Sequence, residues 1–191
     1  MEPLATRLEA DGLRTLCLGY ASTRDDLEQH ADRLNRLLDG IEPAGLERIS
    51  FVTHSMGGLV LREALAHRSA WRTRFELGRV VQLGPPNRGS RLARWVWPTP
   101  IGWLLGPCLR AVATHEARCL PPLPCETLVI AGGRGGHGWN PLVPGDDDGV
   151  VGVAEAHLPG CELVVVHELH TVLMKNEEVA NHTLDFLRTG S

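Results

Sequence analysis

Residues 49–65, ISFVTHSMGGLVLREAL, constrain the fold more than any other stretch of this chain. An apolar run from Ile49 to His54 passes into Ser55-Met56-Gly57-Gly58, and a helical pattern follows at once. A strand that turns straight into a helix returns to its sheet by a crossover, which makes the neighbouring strands parallel. The rest of the sequence repeats this alternation. Short runs rich in Val, Ile and Leu predict strands at Thr15–Tyr20, Ile49–His54, Arg79–Leu83, Thr127–Ala131 and Glu162–His167. None alternates cleanly, as expected of strands buried on both faces. Helical spacing predicts helices over residues 3–10, 25–38, 56–68 and 176–188, with Ser22-Thr23-Arg24-Asp25 as a capping box before the second. The expectation is an α/β fold, a doubly wound and mainly parallel sheet with right-handed crossovers.

A length of 191 residues predicts one domain over residues 1–191, large enough to fold without disulfide or metal staples. The net charge of −4 provides no basic field for nucleic acid. The five Cys are odd in number and lack C-x-x-C spacing, which argues against a zinc site or a disulfide framework. Reduced thiols in a cytoplasmic setting are the expectation. No run of 18 apolar residues predicts a transmembrane helix, and MEPLATRLEADG reads as an amphipathic helix rather than an export signal.

Two segments break the rhythm. Residues 91–113 hold Trp95, Trp97 and Trp103 and are punctuated by Pro98, Pro100, Gly102, Gly106 and Pro107, so broken helix and loop are expected there. Residues 132–149, GGRGGHGWNPLVPGDDDG, form a long glycine-rich loop, and such loops often carry function.

The turn at Ser55 has the strand–turn–helix setting of a nucleophile elbow. The helix after it offers free N–H groups and a favourable dipole to an oxyanion, with the Met56 N–H as first donor. Residues two before and two after the serine come close together; Gly57 suits that, whereas the branched Thr53 does not. The plainer alternative is a serine that only caps a helix.

HSMGGLVLR, residues 54–62, resembles the serine region of the α/β-hydrolase superfamily in its lipase and esterase branch. Small bacterial lipase-like hydrolases are similar, and GPI inositol-deacylase-like proteins more distantly so. VQLGPPNRGS, residues 81–90, resembles the strand and loop that follow the elbow helix in that group. The resemblance implies an α/β-hydrolase fold with residues 91–113 as a short cap or lid. It also implies a Ser-His-Asp triad in the chain order Ser, acid, His. Asp146, Asp147 and Asp148 are candidates for the acid, and the resemblance favours Asp148, immediately before Gly149. His170, after the last strand, matches the place of the base. His137 in the glycine-rich loop is a rival, His167 is expected within the last strand, and His54 is expected to point to the other side of its strand.

The resemblance further implies a strand and a His-Gly loop between the first two predicted strands, donating a second oxyanion N–H. Neither is visible, so a start upstream of Met1 is expected, or else a weakened oxyanion hole. Loss of one such donor costs about 100- to 1,000-fold in rate. Trp95, Trp97, Trp103 and Leu104 are candidates to line an acyl pocket or touch lipid; packing on the sheet is the alternative. Eight Arg against Glu63 and Glu76 over residues 62–94 suit an anionic head group or are scattered surface charge. The expected activity is hydrolysis of small-molecule or lipid acyl esters through an acyl-enzyme, without metal or organic cofactor and with a possible peripheral membrane contact. An acyltransferase with the same triad, or a catalytically impaired lipid-binding relative, stays open.

Overall fold

A computed structural model describes residues 1–19, 24–114 and 116–190. Helix α1 (Glu2–Ala10) and helix α2 (Leu27–Asp39) precede the first strand. Strand β1 (Arg48–His54), helix α3 (Gly57–Ala66), a 3-10 turn (Ala70–Thr73) and strand β2 (Glu76–Leu83) follow. The residues predicted as broken helix form α4 (Arg91–Val96), α5 (Pro100–Leu105) and α6 (Cys108–Ala113). Helix α7 (Glu116–Cys119), strand β3 (Thr127–Gly132), helix α8 (Val153–Ala156), strand β4 (Glu162–Val166), a 3-10 turn (His170–Lys175) and helix α9 (Glu177–Thr189) complete the order.

The four strands lie in the order β1-β2-β3-β4 and every neighbouring pair is parallel. Successive side chains leave a strand on opposite faces. Val81, Leu83, Leu128 and Ile130 therefore point one way, into a core shared with Leu4 and Leu8 of α1 and Val179, Leu184 and Phe186 of α9. Val80 points the other way, onto Leu61 and Leu65 of α3, Leu38 of α2 and Trp71. Every residue of β3 is buried, which is why its sequence shows no polar alternation.

Three sequence expectations need correction. The first predicted strand is not one: residues 15–19 belong to no strand, Tyr20 lies outside the described residues, and Leu16 is 66% exposed. Apolar character alone does not make a strand. A ladder needs a partner, and among the described residues β1 pairs with β2 only. The second concerns the cap of α2. Ser22 and Thr23 lie outside the described residues, and the capping box is Asp26 with Gln29: the Asp26 carboxylate accepts from Gln29 N at 2.9 Å, and Gln29 Oε1 accepts from Asp26 N at 3.0 Å. His167 lies one residue beyond β4 rather than inside it.

Residues 91–113 are broken where their Pro and Gly predict. Ser90 caps α4 by accepting from Ala93 N, and Thr99 caps α5 by accepting from Gly102 N. Gly106 at φ +87° and Pro107 separate α5 from α6. Among the described residues, no helix is long and apolar enough to cross a membrane.

Candidate active site

Ser55 follows β1 directly, with φ +54°. A left-handed conformation at a non-glycine residue costs on the order of 1–3 kcal/mol and survives only where the surroundings impose it. Here they do. The Ser55 N–H donates to Leu83 O at 2.8 Å, extending the β1–β2 ladder by one residue, and Gly58 N donates to Ser55 O at 3.0 Å as α3 begins. The hydroxyl is thus held clear of the sheet at a helix N-terminus. Thr53, the residue that departs from the small-residue pattern, is accommodated at a cost: its Oγ1 is buried without a hydrogen-bond partner.

The loops after β3 and β4 bring the other two groups to this hydroxyl. His170 Nε2 lies 2.9 Å from Ser55 Oγ, and His170 Nδ1 lies 2.7 Å from Asp148 Oδ2. With Nδ1–H donating to the carboxylate, Nε2 is free to accept the serine proton. Asp148 and His170 are both buried. The second Asp148 oxygen accepts from Val150 N at 3.0 Å and Val151 N at 2.7 Å, and the Asp148 carbonyl accepts from His170 N at 2.9 Å. The carboxylate is therefore fixed as an acceptor by two backbone donors and aimed by its own loop.

The other two aspartates pin that loop. Asp146 accepts from Arg134 N and Gly135 N, and the fully buried Asp147 accepts from Asn140 N and Gly149 N. His137 is exposed on the loop, and His167 packs edge-on against Trp139 with ring centroids 5.4 Å apart. Gly84, after β2, completes the floor. It has φ +54°, and a Cβ there would lie 3.0 Å from His170 Nδ1 and 3.1 Å from Asp148 Oδ2. Among the described residues, no group of three or more His, Cys, Asp or Glu is placed to hold a metal ion.

Comparison with known proteins bears on the fold. A family model described as "Putative serine esterase (DUF676)" matches residues 18–83, which include β1, α3 and β2. No curated protein sequence matches the chain. The mature lipase BlEst2 of Bacillus licheniformis superposes with a TM-score of 0.68 at 20% identity, over 85% of this chain and 75% of that one. Phospholipase PlaB of Legionella pneumophila gives 0.70 at 16% identity, over 98% of this chain and 56% of its own. The thioesterase domain SrfTE, known for cyclising the lipopeptide surfactin, gives 0.54 at 15% identity, over 100% and 85%. The chain has the α/β-hydrolase fold.

Within this fold the four candidate substrate residues do not share one place. Trp97 packs against the apolar cluster that joins α4 and α6 to α3, on which Met56 of the nucleophile turn also packs. Trp103 and Leu104 are 77% and 79% exposed, and Trp95 is exposed too. These three side chains face solvent rather than pack on the sheet. Trp97 and Trp103 line a shallow hollow of about 460 Å³ together with Asp26, Gly106, Pro107 and Arg110. Among the described residues the Met56 N–H has no backbone acceptor, and it lies at the start of α3, beside the serine.

His54 was expected on the far side of its strand, and the structure overturns that. Its Nε2 lies 2.9 Å from the His170 carbonyl oxygen, and the two rings are 4.8 Å apart at 42°. Alternation accounts for it: Val52 faces the core of α1, α9 and Leu173, so His54 two residues on faces the same side, where the His170 turn lies. Burial, and then the neighbouring His170, push the His54 pKa below its usual value.

Proposed function

We propose that this chain is a serine hydrolase that cleaves carboxylic acyl esters through an acyl-enzyme. The observation that carries the proposal is the unbroken hydrogen-bonded line from Ser55 Oγ through His170 to Asp148, at 2.9 and 2.7 Å. As the bond from Ser55 Oγ to the acyl carbon forms, the hydroxyl proton passes to His170 Nε2, and Asp148 stabilises the resulting imidazolium. The Met56 N–H donates to the oxyanion. The ester's alcohol leaves with the proton from His170. Water then attacks the acyl-enzyme and gives a proton to the same nitrogen, which passes it to Ser55 Oγ as the acyl–oxygen bond breaks, releasing the acid and the free serine. The family match and the Bacillus lipase and Legionella phospholipase likenesses support this reading.

The likeness to a cyclising thioesterase domain supports a second one, in which an alcohol or amine acceptor rather than water resolves the acyl-enzyme. Adding such acceptors to the assay separates the two by whether a transfer product forms. The cap favours a lipid ester substrate. Ile101, Trp103, Leu104 and Leu105 are exposed together on α5, and residues 77–115 contain no Asp or Glu but include Arg91 and Arg94. An apolar surface with a basic flank suits contact with an anionic membrane.

A fluorophosphonate probe tests the chemistry, because only an activated serine reacts. Covalent labelling at Ser55, abolished by His170→Ala, is the expected result. A folded wild-type chain that stays unlabelled refutes the hydrolase and favours a non-catalytic lipid-binding role.

A further inference from the structure

We propose that His54 is a positioning residue for the base, tying the nucleophile turn to the histidine loop through the His170 backbone carbonyl. The proposal rests on the hydrolase reading only for its kinetic consequence. The contact itself stands on geometry: a side chain at the end of β1 reaches a backbone oxygen 116 residues away at 2.9 Å.

A carbonyl oxygen can only accept, so His54 Nε2 carries the proton and its imidazole is held in one tautomer. The bond closes a ring of restraints about His170. Its N–H donates to Asp148 O, its carbonyl accepts from His54, and its ring spans Ser55 and Asp148. His54 is also bonded in sequence to Ser55. Nucleophile and base are therefore linked twice, once by the bond that transfers the proton and once by a neutral bond beside it. The second link fixes the position of the His170 ring relative to Ser55 without touching the reacting atoms. A misplacement of about 1 Å at such a site costs on the order of 100-fold in rate. The tilted ring contact with His170 leaves little room for either ring to swing.

The experiment compares three substitutions in the full chain. His54→Gln keeps an amide N–H near the position of Nε2. His54→Asn places its amide too short of the carbonyl, and His54→Leu has no donor. On a soluble short-chain ester, Leu and Asn are expected to lower kcat on the order of 10- to 100-fold with KM within about twofold, and Gln to restore most of it. A second readout does not depend on turnover. The downfield proton resonance of His170 Nδ1–H, hydrogen-bonded to Asp148, is expected in the wild type and in His54→Gln, and broadened or lost in His54→Asn. If His54→Leu fails to fold, the comparison of Gln with Asn carries the test. Equal effects of Gln and Asn, a change confined to KM, or a resonance indifferent to all three variants overturns the proposal. A wild type that shows the resonance but no esterase activity would overturn the hydrolase reading and leave the positioning role intact.

Discussion

Arg62 lies in α3 with 3% of its surface exposed, and all its hydrogen-bond acceptors are neutral oxygens. Its Nη1 donates to Asn87 O and Oδ1, each at 3.3 Å, and to Ala117 O at 3.1 Å; Nε donates to Pro121 O at 3.2 Å, and Nη2 to Leu120 O. One guanidinium thus gathers the loop after β2, and α7 with the loop that follows it, onto the elbow helix. Asn87 passes the restraint on by donating to Gln82 Oε1 at 2.8 Å. Burial pushes the Arg62 pKa down to about 10, so it is still charged at neutral pH. Replacing Arg62 by Met keeps the apolar stem and removes the fork. The two Asn87 oxygens and Ala117 O then lose a buried donor, and each such acceptor left bare costs about 1–3 kcal/mol. Leu120 and Pro121 lie nearer the surface, where water replaces the guanidinium. Among the described residues no salt bridge involves Arg62, so removing the buried cation returns part of the loss. The net expectation is a destabilisation of about 3–4 kcal/mol. With a urea slope of about 2 kcal/mol/M, the unfolding midpoint falls by about 1.5–2 M at unchanged slope. Arg62→Lys should fall between, because an ammonium offers three donors rather than five. A Met variant within about 1 kcal/mol of wild type would refute the reasoning, since the cost of burying the charge would then equal all that its hydrogen bonds contribute.

Gly84→Ala is expected to lower kcat on the order of 100-fold, because its Cβ would press on both His170 Nδ1 and Asp148 Oδ2, at 3.0 and 3.1 Å. The same variant should lose only about 1–2 kcal/mol in urea, the cost of a left-handed alanine; equal kcat in both chains would show that the triad has slack there. His54 gives a pH dependence of known sign. The unfolded chain takes up its proton near 6.5, whereas the native one resists it, so this contribution is full above pH 6.5 and is lost as pH falls through the lowered native pKa. The urea midpoint of wild type should therefore drop more between pH 7 and 5 than that of His54→Gln, and parallel curves would count against it. For the cap, the pair Trp103→Ser and Leu104→Ser should abolish low-salt sedimentation with phosphatidylglycerol vesicles while the thermal melt stays in place. Undiminished sedimentation would remove α5 as a membrane contact.

The strand–turn–helix of residues 49–65 was readable because three signals coincide within it: an apolar run, a Gly-Gly break and a helical stripe. The parallel sheet followed from the same alternation, and β2, β3 and β4 were found where Val, Ile and Leu cluster. Residues 15–19 misled because hydrophobicity reports a capacity for burial rather than the presence of a hydrogen-bonding neighbour. The distances among Ser55, Asp148 and His170 were beyond any sequence reading, since they depend on how two loops, which carry Asp148 and His170 22 residues apart, return to one strand end. His54 was misjudged for a related reason. Its face could have been read from Val52 by counting in twos, but the sequence does not say on which face the His170 turn would settle. The tryptophans of residues 91–113 illustrate the opposite limit: composition shows that a segment is rich in indoles, and only the fold separates Trp97, packed on the α3–α6 cluster, from Trp95 and Trp103 facing solvent.

β1 carries the serine, yet among the described residues it is laddered on one side and none of its residues is fully buried. Amide exchange should therefore begin there, and fraying of that margin would let Ser55 relax out of its left-handed turn while β3 and its surroundings stay packed. Chemical competence and global stability are then separate properties of this molecule. Gentle warming would extinguish the reactivity of the serine well before it melts the helices.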